Sequence, residues 1–210
     1  MKAIFVPSVM EARKIFPVGN FIEWKYGIFK GEFKGIPVFT TGVSKTPTAF
    51  SLPVIINEFK ISEAILTGVC GAYRSSKLSV GDLITINKDH FVDEGLYHKG
   101  EFQSIVQMGF GFSDTSYSEF EIFKDLPVAD SNTVSFLDGE GKISEIFQKS
   151  TGADVENMEG AAFGYACKML GIKCFQVRAV SNYCGARDEQ GWDFKKAILN
   201  LKRFFDFNAL

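Results

Sequence analysis

Two rhythms of apolar and polar positions run along this chain. KAIFVP, residues 2–7, is a short continuous apolar run that predicts a buried strand, and MEARKIFP behind it is rich in helix formers and stops at Pro17. A strand-to-helix turn there puts Glu11 at the helix start. YGIFKGEF and GIPVFTTG predict two strands joined by a turn at Lys34-Gly35, and TPTAFSLPVIINEFK has helical spacing with Pro47 near its first turn. AILTGVCGAY begins as a strand and then breaks into a glycine-containing loop.

VGDLITINKDHFVD alternates as a strand does, VADSNTVSFL predicts a strand and loop, and ISEIFQKS predicts a short helix. NMEGAAFGYACKMLG has the small-residue face and closing Gly171 of a buried helix. KCFQVRAVSN is a continuous apolar strand ending in polar residues, and GWDFKKAILNLKRFF is an amphipathic terminal helix. Residues 96–127 are mixed and predict no element. Without linker or repeat, the alternation of strands and helices predicts one α/β domain over residues 1–210. Such folds bind ligands where strands end. Four polar clusters fall at those places: Glu11, the TGVCGAY loop, the SNYCGARD loop, and VENMEG at the opening of the buried helix.

Composition narrows the reading. Apolar residues at 46% and charged residues at 23% are ordinary for a globular chain. A net charge of −2 with scattered Lys and Arg offers no footprint for a phosphate backbone, so nucleic acid is not an expected partner. The opening apolar stretch is too short for a signal segment or a membrane span, which makes the cytoplasm the default and a membrane no partner. The four cysteines show no metal-ligand spacing and are expected to be reduced core residues. DHFVDE at 89–94 has metal-ligand residue types, but strand alternation splits them between faces, so a solvated strand end and no metal are expected. GVSKT at 42–46 lacks the glycines of a phosphate-binding loop.

Breaking a ribosyl C–N bond passes through an oxocarbenium-like sugar, which calls for carboxylates near the ribose, a positioned water and stabilisation of the leaving base. Glu11, Glu156, Glu159 and Asn182 form such a set. Glu159 is the most informative, because a charge on a helix of Gly and Ala has to be paired, ligand-facing or exposed.

The blocks TGVCGA with VGD (67–72, 80–82), VENMEGAA (155–162) and VRAVSN (177–182) resemble, in order and separation, the purine nucleoside phosphorylase and methylthioadenosine nucleosidase superfamily. The extended SNYCGARDEQGW, residues 181–192, resembles its futalosine hydrolase branch, which serves menaquinone biosynthesis. The resemblance implies a single α/β domain with a mixed, twisted central β-sheet flanked by helices. It implies a small-molecule purine nucleoside as partner, no cofactor, and a homo-oligomer.

Carried over residue by residue, the resemblance makes Glu11 the group that activates water. Met158 packs on the sugar and Glu159 binds a ribose hydroxyl. Glu156 is a neighbouring acid, less secure because Asn157 is an extra residue against the nucleosidase pattern. Val69, Cys70 and Gly71 lie beneath the sugar, with Val69 in place of a common serine. Ser181 belongs to the same pocket and Phe136 stacks on the base. Arg187 is either a surface partner of Asp188 or the cation that meets an acidic tail on the substrate.

Nucleosidases acting on adenine carry Asp where this chain has Asn182. An amide offers donors to N7 and O6, so a 6-oxopurine base is expected. The arginine cradle of the phosphorylases is missing, which favours hydrolysis, with futalosine giving hypoxanthine and dehypoxanthine futalosine. The rival readings are a purine nucleoside phosphorylase, a methylthioadenosine/S-adenosylhomocysteine nucleosidase, and a nucleoside-binding protein without turnover.

Overall fold

The computed structural model describes residues 1–111 and 115–208. It contains, in chain order, β1 (Lys2–Val6), α1 (Val9–Ile15), β2 (Ile22–Lys25), β3 (Ile28–Phe33), β4 (Ile36–Thr40), α2 (Lys45–Phe59), β5 (Glu63–Ala72) and β6 (Leu83–Phe91). There follow β7 (Gly95–His98), β8 (Glu101–Ser104), β9 (Tyr117–Glu119), β10 (Val128–Thr133), α3 (Lys142–Thr151) and β11 (Val155–Asn157). The chain ends with α4 (Gly160–Met169), β12 (Lys173–Tyr183), a 3₁₀ turn at Arg187–Glu189 and α5 (Phe194–Phe207).

The main sheet runs β11-β10-β6-β12-β5-β1-β4-β3-β2, with β9 on the edge of β6. It is mixed: β1, β4, β5 and β12 are mutually parallel neighbours, while β12 meets β6 antiparallel. β11 also pairs back onto β5, so the β11, β10, β6, β12 and β5 end curls closed on itself. That closure brings Glu156 of β11 beside the glycine-rich end of β5.

Strand alternation distributes β1 between two cores. Ala3 and Phe5 join Phe39, Leu52 and Phe163 under α2 and α4, whereas Ile4 and Val6 join Ile15, Phe16, Leu201 and Phe205 under α1 and α5. Each buried phenylalanine contributes about 1.5–3 kcal/mol through the area it removes from water. The small side chains of α4 let it lie against the sheet, with Gly160, Ala161, Ala162, Phe163 and Gly164 all buried. The turn between β3 and β4 has positive φ at both Lys34 (51°) and Gly35 (79°), the conformation a two-residue hairpin needs.

Two expectations are corrected here. β5 does not break at its glycines but runs as strand to Ala72, because those glycines serve close side-chain approach rather than a turn. The 89–94 segment is not a solvated strand end: Asp89 is fully buried, and Asp93 is paired with Lys45 and accepts from the Ser135 amide at 2.6 Å. Among the described residues no helix is long and apolar enough to cross a membrane, no carboxylate, histidine and cysteine cluster could hold a metal, and all four cysteines are buried and unpaired.

Candidate active site

A cavity of about 280 Å³ opens at the carboxyl ends of β1, β5 and β12, floored by Val69, Cys70 and Gly71. Glu11, Glu156, Met158, Glu159, Ser181 and Asn182 all face it, so most of the expected site assembles in one place. Phe136 does not. Its ring packs towards Phe147, centroids 6.3 Å apart, and the neighbouring Leu137 lines the cavity instead. Arg187 also stands outside, exposed, with its guanidinium 5.4 Å over the ring of Trp192, which does line the mouth. No described residue of 90–127 lines the cavity.

One end is built around a buried ion pair. Ser8 is the N-cap of α1: its hydroxyl accepts from the Glu11 amide at 3.2 Å and donates to Glu11 Oε2 at 2.6 Å, while Glu11 Oε1 accepts from the Val69 amide at 3.3 Å. The Ser-x-x-Glu spacing at 8–11 carries this signal in the sequence. Burial pushes the Glu11 carboxyl above its ordinary range and the Glu159 charge adds to it, against the Ser8 hydrogen bond, the Arg178 charge and the Val69 amide.

Arg178 is 1% exposed and donates to Glu159 Oε2 at 3.2 Å, to Asn157 Oδ1 at 3.0 Å and to the Val69 carbonyl at 3.3 Å. Glu159, standing just ahead of α4 rather than inside it, takes a second bond from the Ser44 amide at 3.2 Å. Gly68 makes room: a Cβ there would lie 2.9 Å from Arg178 Nη1 and 3.1 Å from Glu11 Oε1.

Asn157, the extra residue of its motif, is the hub behind this pair. Its Oδ1 accepts from Arg178 and from the amides of Glu159 (2.8 Å) and Gly160 (2.7 Å), and its Nδ2 donates to Asp89 Oδ2 and Ser131 Oγ, each at 2.7 Å. Thr133 and Gln176 complete the donors on Asp89, whose pKa burial nonetheless raises. Gly160 has no room for a side chain, since a Cβ would collide with Asp89 and Gln176.

At the other end, β12 carries a one-residue bulge: Val180 pairs with Cys70 and Asn182 with Gly71. Strict alternation would put Val180 and Asn182 on one face; the bulge releases Asn182 from the face that Val180 buries in the core. One N–H of the Asn182 amide donates to the Tyr183 carbonyl at 2.9 Å and Oδ1 accepts from Ser181 at 2.8 Å, which leaves one N–H for a ligand. Opposite stands Glu156, whose Oε2 accepts from Tyr73 at 3.1 Å and whose pKa burial lifts to about 7. The Cys70 thiol stays protonated, pushed by burial to about 12.

The family model described as the Phosphorylase superfamily matches residues 125–206. The solved structure of 5'-methylthioadenosine/S-adenosyl homocysteine nucleosidase from Campylobacter jejuni is similar to this chain with a TM-score of 0.77 at 19% identity, covering 98% of this chain and 95% of that one. The native structure of futalosine hydrolase from Helicobacter pylori is similar at the same TM-score of 0.77 and 16% identity, with the same 98% and 95% coverage.

More particularly, the chain is similar to curated proteins named for futalosine and for aminodeoxyfutalosine. It is 29% identical to "Futalosine hydrolase" of Thermus thermophilus over 185 residues, which is 80% of this chain and 79% of that protein. It is 28% identical to "Aminodeoxyfutalosine nucleosidase" of Campylobacter jejuni over 170 residues, 75% of this chain and 71% of that one.

Proposed function

We propose that this protein hydrolyses the N-glycosidic bond of a 6-oxopurine nucleoside, with futalosine as substrate and hypoxanthine and dehypoxanthine futalosine as products, a step of menaquinone biosynthesis. The single observation that carries hydrolysis over phosphorolysis is the charge of the cavity. Among its described lining residues the one cation is Arg178, already committed to Glu159, while Glu11, Glu156 and Glu159 are all acidic. A phosphate dianion would enter without a free cation to meet it; water needs none.

In this reading Glu11 orients and deprotonates the attacking water. Its raised pKa suits a base whose activity rises with pH as the carboxyl ionises. Glu159 receives a ribose hydroxyl, Met158 packs on the sugar, and Val69, Cys70 and Gly71 support it from below. The one free N–H of Asn182 donates to the base oxygen, with Ser181 holding the amide in that orientation. Leu137 takes the packing role expected of Phe136, and Arg187 beside Trp192 is the rim cation available to an acidic tail.

Met10, Val43, Leu137 and Trp192 make a half-exposed apolar rim, which favours a homo-oligomer whose second copy shields the mouth. Four unpaired buried cysteines suit the reducing cytoplasm.

The test is to incubate the protein with futalosine, aminodeoxyfutalosine, inosine and methylthioadenosine in phosphate-free buffer and to follow the released base. Hypoxanthine from futalosine as the dominant product supports the reading. Dominant adenine release, or turnover that appears only when phosphate is added, overturns it.

A further inference from the structure

A purine leaves a ribosyl carbon readily only when its imidazole ring gains a proton, and an amide has none to give. If Asn182 reads the base, the proton has to come from another group facing the cavity. Glu11 and Glu159 belong to the Arg178 end, where one handles water and the other is ion-paired. Glu156 is the remaining carboxyl on the cavity wall.

Its placement is set by the sheet. β11 pairs with β5 at Glu156 and Gly71, and β12 pairs with β5 at Asn182 and the same Gly71. The two side chains therefore flank one glycine: a Cβ on Gly71 would lie 3.3 Å from Asn182 Nδ2 and 3.7 Å from Glu156 Cγ. N7 and O6 occupy one edge of a 6-oxopurine, so two groups this close can address both.

The hydrogen bonds behind Glu156 also orient it. Thr151 donates to Asn132 Oδ1 at 2.9 Å, Asn132 Nδ2 donates to the Tyr73 hydroxyl at 2.9 Å, and Tyr73 donates onward to Glu156 Oε2 at 3.1 Å. Because the Tyr73 oxygen already accepts an N–H, its own proton points at Oε2, and the proton of the neutral acid sits on Oε1.

We infer that Glu156, in its neutral form, is the general acid that protonates N7 of the departing base while Asn182 holds O6. The inference rests on the proposed hydrolysis of a 6-oxopurine nucleoside. The C1'–N9 bond breaks with its electron pair passing into the imidazole ring, the proton moves from Glu156 Oε1 to N7, and the base leaves neutral. Water adds to C1' and gives its proton to Glu11; solvent returns that proton to Glu156 and closes the cycle.

Burial supports the assignment by lifting Glu156 to about 7, so a large share stays protonated near neutrality. The groups facing it are Tyr73 and Cys70 from β5 and the loop after it, Cys184 from the end of β12, and Asp138 from the loop after β10. Hydrogen bonds from Tyr73 and Cys184 oppose the rise and the Asp138 charge adds to it.

The experiment compares wild type and Glu156→Gln on futalosine and on futalosine methylated at N7, whose base departs without needing a proton there. Wild-type release of hypoxanthine tests the parent reading; without it, reading and inference fall together. Given that release, kcat/KM of Glu156→Gln is expected to fall about 10²–10⁴-fold on futalosine and less than about tenfold on the methylated substrate. In wild type kcat/KM declines as pH rises through about 7, and that limb disappears in Glu156→Gln but persists in Glu156→Asp. Equal losses on the two substrates, or an alkaline limb that survives in Glu156→Gln, overturn the inference and leave the hydrolase reading standing.

Discussion

Replacing Glu156 by Gln should make the protein more stable at alkaline pH even as it cripples turnover. The side chain is 6% exposed, and burial moves its ionisation from an ordinary 4.5 to about 7. Between those two values the folded chain keeps a proton that the unfolded chain has released. Stability therefore falls as pH rises through that window and levels off above it. A shift from 4.5 to about 7 corresponds to about 3 kcal/mol lost at pH 8.5 relative to pH 4.5. Glutamine has the same shape, still accepts from Tyr73, and carries no charge to bury. At pH 4.5 the variant and wild type should match; at pH 8.5 the variant should gain about 2–3 kcal/mol, a rise in Tm of roughly 5–10 °C for a chain of this size. Glu11 and Asp89 also have raised pKa values, but they are present in both proteins and cancel in the difference. Urea unfolding of both proteins across pH 4.5–8.5 measures it. A stability difference that stays flat across that range would mean Glu156 titrates as an exposed carboxyl, and the dry pocket argued for it would be wrong.

Asn157→Ala should cost about 3–5 kcal/mol in urea unfolding, because the Glu159 and Gly160 amides and a guanidinium N–H of Arg178 all lose their acceptor in a buried place; a loss below about 1 kcal/mol would contradict the hub. Gly68→Ala should lower kcat/KM by roughly 10²-fold, since the new Cβ would wedge between Arg178 Nη1 and Glu11 Oε1, and unchanged kinetics would show that this spacing is not critical. Asn182→Asp should shift preference towards 6-aminopurine nucleosides in a competition assay, and an unaltered substrate ranking would move base recognition elsewhere.

The strands and helices that carry a core face were legible because burial imposes a period on sequence, as in β1, where Ala3 and Phe5 serve one core and Ile4 and Val6 the other. The β7 and β8 hairpin escaped because β7 is exposed along its whole length and has no apolar period to show. β2, an edge strand exposed at Ile22 and Glu23, escaped for the same reason. Glu11, Glu159 and Asn182 are singled out by the motifs at strand ends and by the resemblance those motifs carry, and all three line one cavity. Asn157 registered only as an extra residue, since its five hydrogen bonds go to Asp89, Ser131, Arg178, Glu159 and Gly160, partners that pairing across the sheet and at the head of α4 brings together. Phe136 and Leu137 show the limit of spacing. They are adjacent, both apolar and both about half exposed, and only the path of the chain after β10 decides which one faces the cavity.

The two glycines of TGVCGA explain why one strand can serve both ends of the site. Gly68 gives its missing side chain's place to Glu11 and Arg178, and Gly71, three residues on, gives its place to Asn182 and Cys184 with Glu156 just beyond. In an ordinary strand, side chains would fill both spaces and push the carboxylates apart. Here β5 leaves both spaces open, so Glu11 of α1 with Arg178 of β12, and Asn182 of β12 with Glu156 of β11, stand against the same strand at positions three residues apart. Rigid spacing of this kind is what a reaction needs when water must arrive at C1' as the base departs from the other side. The same openness leaves little room for alanine at either position: at Gly68 a Cβ would press on Arg178, Glu11 and Pro7, and at Gly71 on the buried Cys184 thiol at 2.9 Å before it reached Asn182, so a substitution there strains packing as well as the site.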